Sequence, residues 1–230
     1  MRRTGLALAG LLAVIAGCSD TTATPEPQTT TSAPKPAKTT PAPTPTPTST
    51  GVEDPPTATR PAGPTTLSIP SINVRRLRVI AYTGTPDDHP GDRIQDRGRL
   101  ASPRGPKGGI GPGQVGNFIV TGHRTEAGRP FGRLPEVRNG AHILVTSGGL
   151  VYDYVVTGTL SVSFRKPESK ASQIAPVPGR PGVPATRPMI TLSTCATPED
   201  HAAGNFWKDN LGNPEHRIDK IGVLVSVGPA

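Results

Sequence analysis

TLSTCATPED, residues 191–200, brings an apolar, β-branched run to a cysteine and then turns at once to a proline and two acids. Short runs of this composition are strand signals. Thr197 is a capping residue type, Pro198 suits a first helical turn, and Glu199 and Asp200 follow inside it. The stretch therefore predicts a buried strand ending at Cys195, with a short helix starting just beyond. A helix start would aim amide donors at the sulfur and favour thiolate over thiol.

The only other cysteine is Cys18, and its surroundings give it a different task. The chain opens MRRTGLALAGLLAVIAGC, two arginines before an apolar run from Leu6 to Ala16. That is the plan of a secretory signal, too short to span a bilayer comfortably. Ile15, Ala16, Gly17 and Cys18 resemble a bacterial lipobox, which implies lipidation at Cys18 and removal of residues 1–17. With Cys18 acylated, Cys195 has no disulfide partner. An unpaired cysteine in an exported protein reads either as a reactive thiol or as a small buried hydrophobe.

Residues 18–64 are dominated by proline, threonine and alanine and lack large apolar side chains. Such a segment buries no core and favours extended polyproline II, reaching on the order of 100 Å at about 3.1 Å per residue. It is expected to be a tether carrying residues 65–230 away from a membrane. That remainder is long enough for one domain. It holds 20 lysines and arginines against 13 aspartates and glutamates, most of the chain's net charge of +8. The basic residues are scattered and form no nucleic-acid module, so no nucleic-acid partner is expected.

Within 65–230, strand signals dominate. TTLSI and the run ending VIAY are separated at Pro70, GNFIVT precedes Gly122 and His123, and Ser147-Gly148-Gly149 marks a hairpin between AHILVT and LVYDYVVTGTLSVSF. Residues 83–116 read as long loops with one short strand near Gly98–Ser102. With MITLSTC and IGVLVSV the total is roughly eight strands and little helix. An all-β, closed eight-stranded barrel hides the edges of such a sheet.

A strand-end thiol needs an imidazole to move a proton and a donor for an oxyanion. Of five histidines, His89 lies in a loop, His142 at a strand start, and His201 and His216 in polar sequence. His123 alone follows a strong buried strand. The domain lacks a second cysteine or a paired-histidine spacing, so no metal site is expected.

TGHRTEAGRPFGRL, TLSTC, the later HRIDKIGVLV and the opening LSIPSINV together resemble the sortase family, in its class E form. The match runs from Leu67 to Val227 in the order His, Cys, Arg. The resemblance implies a cysteine transpeptidase on a sortase-type β-barrel with short helices in its connections, needing no metal or organic cofactor. Cys195 would attack a sorting motif before a glycine, and His123 would protonate the leaving amine. Arg217 would steady the oxyanion, with Ala196, through its amide N–H, and Thr194 as further support. The implied partners are secreted proteins bearing the motif and an amine acceptor from a cell-wall precursor or pilin. The implied place is the outer face of the membrane. Lys220 rivals Arg217, because Ile218, Asp219 and Lys220 follow the arginine where the family usually runs straight into apolar strand. A non-catalytic envelope lipoprotein is the alternative reading.

Overall fold

The computed structural model describes residues 64–230; the expected signal, Cys18 and all of the tether but Pro64 lie outside the described residues. Eight strands close into one barrel: β1 Thr65–Ile69, β2 Val74–Thr83, β3 Leu100–Arg104, β4 Gly116–Thr121, β5 His142–Ser147, β6 Leu150–Ser163, β7 Pro188–Cys195 and β8 His216–Pro229. They hydrogen-bond in the order β1-β2-β3-β4-β7-β8-β6-β5, and β5 returns to β1. The pairs β2–β3 and β4–β7 are parallel and the others antiparallel. Closure leaves no long unpaired edge, which is why so many β-branched runs coexist in one small domain.

Side chains alternate across each strand. Phe118 and Val120 of β4 and Ile190 and Leu192 of β7 point inward, joining Leu67, Ile143, Tyr154 and others in the main core. The opposite face of β7 and β8 is also buried, because the β6–β7 connection lies over it. Val177 and Leu160 pack on Met189, Ile221 and Val223 there. Asn117 donates to the carbonyls of Gln173 and Ala175, fastening that connection to β4.

Three short helices interrupt the connections: α1 His89–Gln95, α2 Pro167–Ile174 and α3 Thr197–Ala202. The first falls where the sequence reads as loop. Its start is local chemistry: the Asp88 carboxylate accepts from the Gly91 N–H at 2.9 Å, and Pro90 sits in the first turn. A seven-residue helix rich in Gly, Pro and Asp has no apolar period to announce it. Among the described residues no helix is long and apolar enough to cross a membrane.

Candidate active site

The parallel β4–β7 pairing runs to Thr121–Ser193. His123 and Cys195 each lie two residues further on, so both leave the same end of the sheet. The strand ends are tied together. The Gly122 N–H donates to the Ser193 carbonyl at 3.1 Å, and Thr194 Oγ1 donates to the Gly122 carbonyl at 2.7 Å. A Cβ at Gly122 would come within 2.7 Å of the Leu100 side chain and 2.8 Å of the Phe131 ring, so any larger residue would have to displace these buried side chains. The His123 carbonyl accepts from the Phe131 N–H, and Arg124 bridges Gly132 and Glu199, so the loop after His123 is latched to α3.

Cys195 stands directly across from Arg217 in the antiparallel β7–β8 ladder. The neighbouring Ala196 N–H donates to the His216 carbonyl at 2.9 Å, so Cys195 and Arg217 occupy a non-hydrogen-bonded position, where facing side chains come closest. Strand β8 begins at His216, earlier than the IGVLVSV run, and takes in the arginine. Arg217, Asp219, Ile221 and Val223 share one face, opposite Cys195, Ser193, Thr191 and Met189. Lys220 falls on the other face, opposite Leu192, and its Nζ donates to Thr159 at 3.0 Å. Between the two candidate cations, register therefore brings Arg217 and not Lys220 to the thiol. The parity does not extend to Val225, which is exposed at a bulge where Asp153 pairs Ser226 and Tyr154 pairs Leu224.

Arg217 is wholly buried, with Nε 2.7 Å from Asp87 Oδ2. Its Nη1 donates to the carbonyls of Pro214 and His216, and its guanidinium lies 4.1 Å from the centre of the Phe164 ring. Nη2 is buried and has no hydrogen-bond partner among the described residues. His123 is mostly buried, and its Nε2 lies 3.0 Å from Asp96 Oδ1. His123, Cys195, Asp92, Asp96, Leu211 and Pro214 line one cleft of about 200 Å³. A larger cleft of about 350 Å³, between Val74, Leu77, Arg129 and Pro130, has no cysteine or histidine on its walls.

Electrostatics correct one expectation. Burial pushes the Cys195 thiol up to about 11, against the pull of Arg217 and with the help of Asp87, Asp92 and Glu126. The resting sulfur is a thiol. Helix α3 is only six residues long, its cap position is Ala196 without a side-chain bond, and Thr197 already lies inside the helix. So short a dipole does not offset the loss of water around the sulfur. The same burial, with Asp87 and Asp96 nearby, raises Asp92 to about 6. Asp219, sealed beneath the site, is raised by burial to about 7 although Ser193 and Gln173 hydrogen-bond to it.

The supporting residues also differ from expectation. The Ala196 N–H, expected to face an oxyanion, is already engaged by His216. Thr194 is buried, and its hydroxyl binds the Gly122 carbonyl. The other histidines stand elsewhere: His142 pairs with Asp153, His216 with Asp200, His201 stacks on Phe206, and His89 opens α1. Sequence reasoning passed over Asp87, Asp96 and Phe164. The signal that points to the first two is PDDHPGDRIQD, where Asp88 caps α1 and so sets an acid on either side of it. Among the described residues no group of three His, Cys, Asp or Glu is placed to hold a metal ion.

The barrel thus brings a cysteine and an arginine together across its last two strands, with a histidine at the same end of the sheet. The sortase domain model matches residues 67–209, and the chain belongs to the sortase family. It is 31% identical over 109 residues to Sortase SrtE1 of Streptomyces coelicolor; the match spans 46% of this chain and 30% of that relative's length. Among solved structures it resembles sortase E from Streptomyces avermitilis, 26% identical with a TM-score of 0.51 over 72% of this chain and 89% of that one. It also shares its fold with sortase E1 from Streptomyces coelicolor holding a tripeptide in its active site, at 22% identity, a TM-score of 0.53 and coverage of 73% and 90%.

Proposed function

We propose that this chain is a lipid-anchored cysteine transpeptidase of the class E type, working on the outer face of the cell membrane. The observation that carries the reading is that Cys195, paired across the strand with the buried Arg217, shares one cleft with His123. The substrate would be the sorting motif of a secreted protein, and the acceptor an amine of a cell-wall precursor or pilin. The tripeptide in the active site of sortase E1 from Streptomyces coelicolor supports a peptide substrate.

The resting thiol sets the order of proton movements. As Sγ attacks the carbonyl carbon before the motif's glycine, its proton passes to the His123 imidazole, and the carbonyl oxygen takes negative charge near Arg217. Collapse of that tetrahedral species breaks the C–N bond, and His123 returns the proton to the departing glycine amine. The thioester left on Cys195 is then attacked by the acceptor amine, whose proton goes to His123 and on to the leaving sulfur. Each step uses the imidazole once in each direction, so nothing is consumed beyond the two peptides. Arg217 contributes charge fixed before the reaction starts, where a dry setting makes it count most.

Mass spectrometry of the enzyme mixed with a small library of sorting peptides tests the reading. The expected product is a covalent adduct on Cys195, lost in Cys195→Ala and formed at less than a hundredth of the rate in His123→Ala. Turnover by Cys195→Ala would refute it. The anchor is tested separately by fractionation: Cys18→Ala should stall processing or release the protein from membranes.

A further inference from the structure

The segment joining β2 to β3 carries Asp87, a residue outside every element of the barrel. Its backbone is left-handed, with φ 58°, an uncommon conformation for anything but glycine and one that aspartate tolerates better than most. The carboxylate is nearly buried, one oxygen 2.7 Å from Arg217 Nε and the other 3.4 Å from Gln95 Nε2. From the far side of the cleft, Asn213 donates to the Asp87 carbonyl at 3.1 Å. Gln95 and Asn213 are themselves buried. Asp87 is thus fixed from α1, from the β7–β8 connection and from β8 at once.

Consider what this leaves of the guanidinium. Asp87 takes Nε, the carbonyls of Pro214 and His216 take Nη1, and Phe164 lies against the guanidinium group. The group has five N–H donors in a rigid plane, so holding Nε and Nη1 orients the whole guanidinium. The remaining donor, Nη2, is buried and without a partner among the described residues. With the Ala196 N–H already held by His216, Arg217 is the cation that register brings directly across from Cys195.

We infer that Asp87 is the positioning residue for Arg217: its carboxylate fixes the guanidinium on the face it shares with Cys195, so that the positive charge is already in place when the oxyanion forms. This rests on the transpeptidase reading above. Asp87 itself touches no reacting atom. Its contribution is to remove the reorientation that a free arginine would need in each turnover, which matters because an oxyanion donor acts only where it already points.

The test is acyl-enzyme formation by a sorting peptide, followed by mass spectrometry under single turnover, for Asp87→Asn, Asp87→Ala, Arg217→Lys and the Asp87→Ala/Arg217→Lys double variant, each checked for folding by thermal melt. Losing one oxyanion donor typically costs about a hundredfold in rate. Asp87→Ala should therefore lose about a hundredfold in the acylation rate with the peptide's half-saturation little changed. Asp87→Asn, whose amide oxygen still accepts from Nε, should lose about tenfold. The double variant should be no slower than Arg217→Lys alone, because a residue acting through Arg217 has nothing left to act through. If Asp87→Ala leaves a buried arginine too poorly compensated to fold, the Asn variant decides the question with the same double-variant comparison. Asp87 variants as fast as the wild type, faster than it, or additive with Arg217→Lys overturn the proposal while leaving the transpeptidase reading intact. A wild type that forms no adduct with any peptide in the library overturns both.

Discussion

Midway along the β7–β8 ladder the two faces are both dry but differ in chemistry. Inward, Ile190 and Leu192 join an apolar core. Outward, Thr191, Ser193, Arg217 and Asp219 are just as buried but polar, and linked. Thr191 donates to Asn117 at 2.8 Å, and Gln173 donates to Ser193 and Asp219. An apolar face asks only for volume and contact, so many sequences would fill it. On a buried polar face each unmatched group costs about 1–3 kcal/mol, and Arg217 Nη2 is such a group here. The outward face can hold a charge beside a thiol only because its neighbours were placed for the purpose, and one side of a two-residue alternation separates the two regimes.

The largest effect expected on this contrast comes from exchanging its charges. Arg217→Lys keeps the charge and loses the fork; it should lower the acylation rate about a hundredfold. Lys220→Met, on the opposite face, should keep most of the wild-type rate. Single-turnover acylation measures both, and a crippled Lys220→Met with an active Arg217→Lys would reverse the assignment of the two faces.

Next in size, Leu192→Ala should lower the unfolding free energy by about 2–5 kcal/mol, the usual cost of truncating a leucine in a full core. The folded fraction should retain near-normal acylation per active site. Urea unfolding with active-site titration checks this. A stable but inactive variant would mean that the inward face also sets the chemistry.

A smaller effect separates the faces by pH. In the folded chain Asp219 holds its proton up to about 7, against 3.8 without burial. As pH rises from about 4 to about 7 the unfolded chain gives up this proton and the folded chain keeps it. Asp219 therefore favours the folded state fully below about pH 4, and that contribution is lost as pH climbs through 7. Asp219→Asn should flatten the decline in the urea midpoint between pH 4.5 and 7.5. An unchanged slope would show that the outward network does not hold Asp219 protonated.

The smallest effect is a deliberate zero. Thr197 makes no capping bond, and burial dominates the sulfur. Thr197→Ala should leave the pH profile of Cys195 alkylation where it is, still rising beyond pH 9 in both proteins. A shifted profile would restore the helix start as a tuner of the thiol.

Much of this contrast was legible beforehand. GNFIVT and MITLSTC declare buried strands, and the hairpin at Gly148-Gly149 fixes the pairing of β5 with β6. His123 and Cys195 stand out because each ends such a strand. Arg217 was harder: IDKIGVLV mixes charge into a strand, and nothing local says that Asp219 is neutralised by burial. Helix α1 left almost no periodic signal, so Asp87 and Asp96 stayed hidden in apparent loop.

The sequence by itself determined what is periodic or covalent: the strand runs, their turns, a thiol without a partner in the domain, and the order His, Cys, Arg. Those depend on neighbours along the chain. Tertiary structure alone decided which cation meets the sulfur, that the Ala196 N–H is already engaged, that the resting sulfur is protonated, and that Asp87, 130 residues before Arg217, holds it in place. Register between strands far apart in sequence sets the first two. Loss of water on closing the barrel and its connections sets the others, and neither is written in any single stretch of residues.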